Sequence, residues 1–197
     1  MKLSPVFLFS ALIACFSFFL PSFAADAARV DYPKKPYKAT YDYTGPTGKS
    51  VMIMSSDGKG HTRTESNFNN FRVVSIADYI NHESISLLEA QKMATKSRWK
   101  PGENQAQITD ETSARKHNAK SLGVKEIAGR KCKGWQYKVS GAESTVWVDE
   151  SVGCVVSSIQ KTPQGTVSML MKEFSPTAPP ADAFSIPPGY KVMSAGG

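Results

Sequence analysis

The chain has 197 residues, a formal net charge of +7 and 41% hydrophobic residues, which is enough for one domain with its own core. The basic residues are dispersed in short clusters, Lys34-Lys35, Arg115-Lys116 and Arg130-Lys131 with Lys133. No long basic run is present, so composition does not favour nucleic-acid binding. A dispersed positive charge can still attract the protein to an anionic membrane surface.

The first residues are typical of a secretory signal peptide. Lys2 is the only early charge, an apolar run covers Leu3–Leu20, and Pro21 precedes the small-residue cleavage pattern Ser22-Phe23-Ala24. We predict a signal peptide over residues 1–24 and a periplasmic protein. A retained membrane anchor is the alternative, but a span needs about 20 apolar residues, and this run is only marginally long enough.

A second interpretation of the leader concerns Cys15. Leu12-Ile13-Ala14-Cys15 resembles a lipobox, at which bacterial lipoproteins are cut and acylated on cysteine. The residues after Cys15 continue the apolar run instead of forming a polar tether, so cleavage after Ala24 is favoured. Lipidation at Cys15, which would leave a lipid-anchored envelope protein, remains the minority alternative.

Residues 25–36 form a polar lead-in, and short predicted strands separated by turns follow it. Asp57-Gly58-Lys59-Gly60 is a strong hairpin signal. Residues 78–98 fit either a hairpin or a helix, and the hairpin is favoured. The strands predicted in this half by alternation and β-branched content are 37–43, 51–55, 61–67 and 71–76.

The second half begins with a predicted surface helix over about residues 104–122, ended by Gly123. Consecutive hairpins then imply an antiparallel sheet, because parallel pairs would need crossover connections. Residues 193–197 are expected to form a flexible tail. The strands predicted in this half are 135–139, 145–149, 154–161 and 167–174.

Two cysteines, Cys132 and Cys154, remain after removal of the leader. An even pair in an oxidising compartment favours a disulfide. If one strand separates the two cysteine-bearing strands, however, they lie about 9–10 Å apart, beyond the separation of about 7 Å that a disulfide can bridge. Both cysteines fall near strand beginnings at the same end of the sheet, where the chain can bend inward, so we predict the disulfide over a redox-active or metal-binding pair.

The sequence contains no catalytic or cofactor motif. His61, His82 and His117 occur without H-x-H or H-E-x-x-H spacing, and Gly58-Lys59-Gly60 suits a hairpin turn better than a phosphate loop. No G-x-S-x-G element is present. We therefore expect a protein that is not an enzyme and that holds no cofactor and no metal.

Three short motifs in the C-terminal half occur in order at hairpin spacing: Gly129–Trp135 around Cys132, Val146-Trp147-Val148-Asp149 with Gly153, and Phe184–Tyr190. In this order they resemble the periplasmic LolA/LolB-like superfamily of lipoprotein carriers, especially its branches of unknown function. The resemblance covers about residues 37–192, which we take as one domain. It is specific mainly from Gly129 onward.

The resemblance implies a mainly β fold with a few helices: a strongly curved antiparallel sheet, or half-open barrel, with helices packed on its concave side. In this superfamily the cavity between sheet and helices can hold acyl chains, and LolA itself carries lipoproteins in outer membrane lipoprotein sorting. The candidate cavity residues are apolar strand residues: Met52, Met54, Phe68, Phe71, Trp135, Trp147, Met169 and Met171.

Two functions follow from this resemblance. The first is binding or carriage of an amphiphile, such as a lipid or a lipoprotein acyl chain, in an apolar cavity. The second is a non-enzymatic protein–protein interaction module of the envelope, whose cavity is filled by its own side chains. A monomer is expected in either case.

The leader generates the first testable prediction. The mature protein from an exporting bacterium should begin at Ala25, because the small-residue site precedes it. Intact-mass spectrometry of the purified protein measures this directly. A mass matching a diacylated Cys15 would instead establish the lipid-anchored form.

Overall fold

The structure is a computed structural model that describes residues 32–46, 48–68, 71–100, 108–139 and 141–194. The predicted signal peptide and Cys15 lie outside these residues. Within the described residues one α-helix, α1, covers Glu111–Lys116, and short 3-10 turns cover Glu89–Gln91 and Ala181–Phe184. The strands in chain order are β1 Pro36–Gly45, β2 Gly48–Asp57, β3 His61–Phe68, β4 Phe71–Asp78, β5 Glu83–Leu88, β6 Met93–Arg98, β7 Lys120–Ile127, β8 Arg130–Val139, β9 Ala142–Asp149, β10 Cys154–Thr162, β11 Gly165–Ser175 and β12 Lys191–Ser194.

All these strands belong to one open sheet with the order β12-β6-β5-β4-β3-β2-β1-β11-β10-β9-β8-β7. The mainly antiparallel sheet predicted from the sequence is confirmed, with β12 and β6 as the parallel exception. Residues 83–98 form the favoured hairpin, β5 with β6. The predicted tail starts inside β12, since Met193 and Ser194 pair with β6.

Strand β1 lies at the centre of the sheet and supplies its core. Tyr37, Ala39 and Tyr41 are buried on one face, which we call the inner face, whereas Lys38 and Asp42 are exposed on the outer face. The Tyr41 hydroxyl donates a hydrogen bond of 2.8 Å to the Val155 carbonyl. Burial raises the pKa of both tyrosines, so they stay neutral.

The sheet is strongly curved between β11 and β8. The Arg130 guanidinium of β8 lies 3.6 Å from the centre of the Phe174 ring in β11. Strands β10 and β9 separate these two strands, so a flat sheet would hold them about 14 Å apart. Curvature brings their inner faces together over a core that includes Tyr37, Tyr41 and Met171.

The helix falls within the predicted span but is shorter than predicted and packs on the other face of the sheet. An Asp110 capping box begins α1, and Lys120–Ile127 is a strand, so the predicted helix ends too late. Ala114 packs with Trp135, Val146 and Val148, whose side chains alternate with Cys132 and Trp147 along β8 and β9. The helix therefore lies on the opposite face from Cys132 and Trp147, and the predicted helices on the concave side are not confirmed.

Residues 176–190, between β11 and β12, form what we call the C-terminal segment, which covers the outer face of β4 to β6. There Val74, Ile76, Leu87 and Ala94 form a buried cluster against which Phe184, Ile186 and Tyr190 pack. Arg63 of β3 donates a hydrogen bond of 2.9 Å to the Ala183 carbonyl. The sheet thus buries its inner face around β1 and its outer face around β4 to β6.

A close approach of β8 and β9 generates a stability prediction. A Cβ atom added at Gly134 would lie 2.6 Å from the Trp147 ring, so Gly134→Ala must displace that ring. We expect a loss of about 1–3 kcal/mol in the free energy of unfolding, measured by urea denaturation. Trp147→Leu relieves the clash, so the double variant should lose less than the sum of the single variants; additive losses would contradict this account.

Candidate functional site

Charged side chains on β2 to β6 are confined to the outer face. The outer positions carry Lys49, Asp57, Arg63, Glu65, Arg72, Asp78, Glu83, Lys96 and Arg98. The described inner positions hold only hydroxyl, apolar and thioether side chains: Ser50, Met52, Met54, Ser56, Thr62, Thr64, Ser66, Val73, Ser75, Ala77, Ser84, Ser86, Leu88, Met93, Thr95 and Ser97. This segregation follows from the two-residue period of a strand.

At each register position, neighbouring side chains form a row across the strands of this inner face, and we call each such row a level. One of these levels is mostly apolar. The strand register places Met52, Ser66, Val73, Leu88 and Met93 side by side across β2 to β6, so that four apolar side chains and one serine hydroxyl make up the row. Leu88 is 40% exposed, and the other four are partly buried. Five neighbouring strands give the row a length of about 19 Å. We call it the apolar row.

Hydroxyl groups occupy the next level. Thr64, Ser75, Ser86 and Thr95 are neighbours across β3 to β6, and we call them the hydroxyl row. Ser75 and Ser86 are exposed. One level further, the Ser84 and Ser97 hydroxyls lie 2.7 Å apart and bond to each other. The inner face is therefore amphiphilic without being ionic.

Aromatic rings lie at the end of the inner face, beyond Ser84 and Ser97. Tyr79, which follows β4, stacks on Tyr32 with ring centres 5.9 Å apart and meets Trp99, which follows β6, edge-on at 6.0 Å. Tyr79 is buried, and burial raises the pKa of its phenol. Polar and apolar levels therefore succeed one another along the strands, from the apolar row to this aromatic end.

The structure separates the predicted cavity residues. Met171 is buried in the core beside Tyr41, and Met52, Met54, Trp147 and Met169 pack against that core. Trp135 belongs to the cluster under α1. Phe68 and Phe71 pair with each other between β3 and β4, and their side chains lie outside the described part. Sequence reasoning missed Val73, Leu88 and Met93, although the alternation of uncharged and charged residues in β3 to β6 was a readable signal.

Three surface clefts are lined by none of the eight predicted residues. One of about 410 Å³ is lined by Arg130, Cys132 and Asp149 among others, and one of about 570 Å³ lies beside His117 and Tyr137. A third, of about 500 Å³, lies between the outer face and the C-terminal segment. All three have charged linings, unlike the inner face of β2 to β6.

The structure does not show the predicted disulfide. Cys132 and Cys154 are free, fully buried thiols. Asp149 of the intervening strand β9 pairs with Cys154, and the register of Lys133 with Val148 places Cys132 level with the same aspartate. One strand therefore separates the cysteines, by about 9–10 Å across the sheet, and the strand ends do not bend enough to join them.

His61 makes contacts that its polar surroundings in the sequence did not reveal. Its Nδ1 lies 2.6 Å from an Asp57 carboxylate oxygen, and its Nε2 lies 3.6 Å from Asp78. Its ring contacts Phe184 of the C-terminal segment with centres 5.8 Å apart. Among the described residues no group of three or more acidic, histidine or cysteine side chains is suited to a metal ion. The contact between the His61 ring and Phe184 therefore contributes to holding the C-terminal segment on the sheet.

No protein-family profile matches the chain, and no curated protein gives a significant match. Solved structures do match. An uncharacterized conserved protein from Thermus thermophilus has a TM-score of 0.58 at 10% identity, over 82% of this chain and 91% of its own. PNGF-II has a TM-score of 0.53 at 15% identity, over 82% of this chain but only 32% of its own length.

A Vibrio parahaemolyticus domain described as a putative outer membrane lipoprotein-sorting protein matches with a TM-score of 0.32 and 9% identity, over 74% of this chain and 86% of its own. At these identities the matches concern the fold alone. The open, mostly antiparallel sheet expected from the sequence is confirmed. Within the part of the chain that is described, no helix has the length and apolar character needed to cross a membrane.

The cysteines provide a direct chemical test. Burial raises the pKa of the Cys154 thiol to about 12 and also raises that of Cys132, so neither should be a reactive thiolate at neutral pH. Protein lacking the leader should give no signal with a thiol-specific chromophoric reagent when folded and two thiols per chain in denaturant. The absence of reactive thiols in denaturant would establish that the disulfide forms after all.

Proposed function

We propose that this is an exported, non-enzymatic protein of the cell envelope that binds or carries an amphiphile, such as a lipid or a lipoprotein acyl chain. The observation that supports this function is the inner face of β2 to β6. It combines an apolar row with complete absence of charge at its described positions. An ordinary solvated face of a basic protein would carry lysines or arginines.

The apolar row has the properties of an adaptable binding surface. Leu88 is exposed while Val73 and Met93 beside it are only partly buried, so apolar area remains for a ligand to cover. Covering about 200 Å² would contribute about 5 kcal/mol to binding. Thioether side chains such as Met52 and Met93 adjust to ligands of different shape.

The remaining elements of the proposal concern location and partners. The leader predicts export across the inner membrane to the periplasm, with the lipid-anchored form through Cys15 as the alternative. The net charge of +7 falls to +6 when Lys2 is removed with the leader, and it still favours approach to an anionic membrane, from which an amphiphile could be collected. We propose a monomer that acts without cofactor, metal or nucleic acid.

One observation favours the second candidate, an envelope protein–protein interaction module. The interior between β1 and β8 is filled by the protein's own side chains, including Tyr37, Tyr41 and Met171. No ligand cavity is needed in such a module. Recovery of a stable envelope partner with lipid-free protein would favour this candidate over amphiphile binding.

Leu88 and Val51 offer a matched pair for testing the proposed function. Both are exposed apolar strand residues, at 40% and 49%, but Leu88 lies on the inner face and Val51 on the outer face. Titration of leaderless protein with an uncharged, pyrene-labelled diacylglycerol should show binding. Leu88→Lys should weaken it at least about tenfold, or about 1.4 kcal/mol, because a lysine replaces apolar contact.

The control variant Val51→Lys adds the same charge and should leave the affinity unchanged. Circular dichroism establishes that each variant is folded. Folded wild-type protein that binds no probe, or equal weakening by the two variants, would contradict the proposed function.

A further inference from the structure

Resting on the proposed function, we propose that the site selects amphiphiles with an uncharged, hydrogen-bonding headgroup, and that the hydroxyl row determines this selectivity. The occupant is one molecule whose acyl chain lies on the apolar row and whose head lies against Ser75, Ser86 and Thr95. The chemical class is a lipid with a hydroxyl- or ester-bearing head, without phosphate or carboxylate.

The first argument is electrostatic. An ionised head brought onto this face would lose hydration, and such a loss requires a paired charge to offset it. The cations on these strands, such as Arg63, Arg72 and Lys96, belong to the outer face. Two of them are already engaged, since Arg63 contacts Glu65 at 2.9 Å and Arg72 contacts Glu89 at 3.0 Å. At the aromatic end, the Lys34 ammonium lies over the Tyr32 ring, 3.3 Å from its centre.

The second argument concerns hydrogen-bonding capacity. A hydroxyl both donates and accepts, so it suits a head that does the same, whereas phosphates and carboxylates are bound best by arginine and lysine. Ser75 and Ser86 are exposed on adjacent strands and pair across β4 and β5. The next pair toward the aromatic end, Ser84 and Ser97, has less hydrogen-bonding capacity left for a ligand, because these two hydroxyls already bond to each other.

The third argument is the spacing of the two rows. Leu88 and Ser86 are two residues apart on β5 and face the same side, which places the rows about 7 Å apart along the strands. A molecule whose polar head adjoins its chain can therefore contact both rows at once.

The test compares two soluble lipids with the same chains, dioctanoylglycerol and dioctanoylphosphatidylglycerol, titrated into leaderless wild-type protein by calorimetry. We expect dioctanoylglycerol to bind at least about tenfold more tightly, or about 1.4 kcal/mol. Ser86→Lys should reverse the preference by supplying a cation on the inner face. Ser168→Lys, at an outer position of β11 paired with Thr44, adds the same charge and should not.

The outcomes separate the inference from the proposed function. Equal or tighter binding of the anionic lipid by wild-type protein would overturn the selectivity and leave amphiphile binding intact. If the folded wild-type protein binds neither lipid and no diacylglycerol probe, both the selectivity and the proposed function are overturned. Light scattering that shows a dimer in the wild type and a monomer in Ser86→Lys would overturn the inference by assigning the face to a second copy of the chain.

Discussion

The pairing of β1 with strands from both ends of the chain is the constraint on which the rest of the fold depends. β1 pairs with β2 through a short turn, and on its other side it pairs with β11, more than a hundred residues later. Its inner positions Tyr37, Ala39 and Tyr41 are almost fully buried. Without this strand the sheet would divide into a six-stranded part, β12 with β6 to β2, and a five-stranded part, β11 to β7.

Curvature and charge segregation follow from that arrangement. On the β11 to β8 side the sheet curls until Arg130 reaches Phe174, which closes the inner face over its own side chains. On the β2 to β6 side the apolar residues Val74, Ile76 and Leu87 lie on the outer face, and the C-terminal segment covers them. The inner face of those strands is therefore left with hydroxyls and an apolar row, and this difference between the two halves of the sheet locates the candidate site.

The positions of most strands along the chain could be predicted from alternation and turns. The hairpin turn at Asp57–Gly60 lies where its sequence predicts. The site was less predictable. Alternation assigns residues to two faces but does not say which face is buried, so Met171 and Trp135 appeared as cavity residues although both are core. Leu88 and Met93 were overlooked because their strands were ambiguous between hairpin and helix.

The sequence by itself determined a mainly β architecture of consecutive hairpins, and it predicts a leader typical of export. These are local properties, encoded by periodicity, turn residues and short spacing. Only the tertiary structure decided that α1 lies opposite Cys132 and Trp147, that β9 separates the two cysteines, and that β4 to β6 bury their outer face. Those outcomes depend on which distant strands pair and on how far the sheet curves, and long-range pairing of that kind leaves no local pattern in the chain.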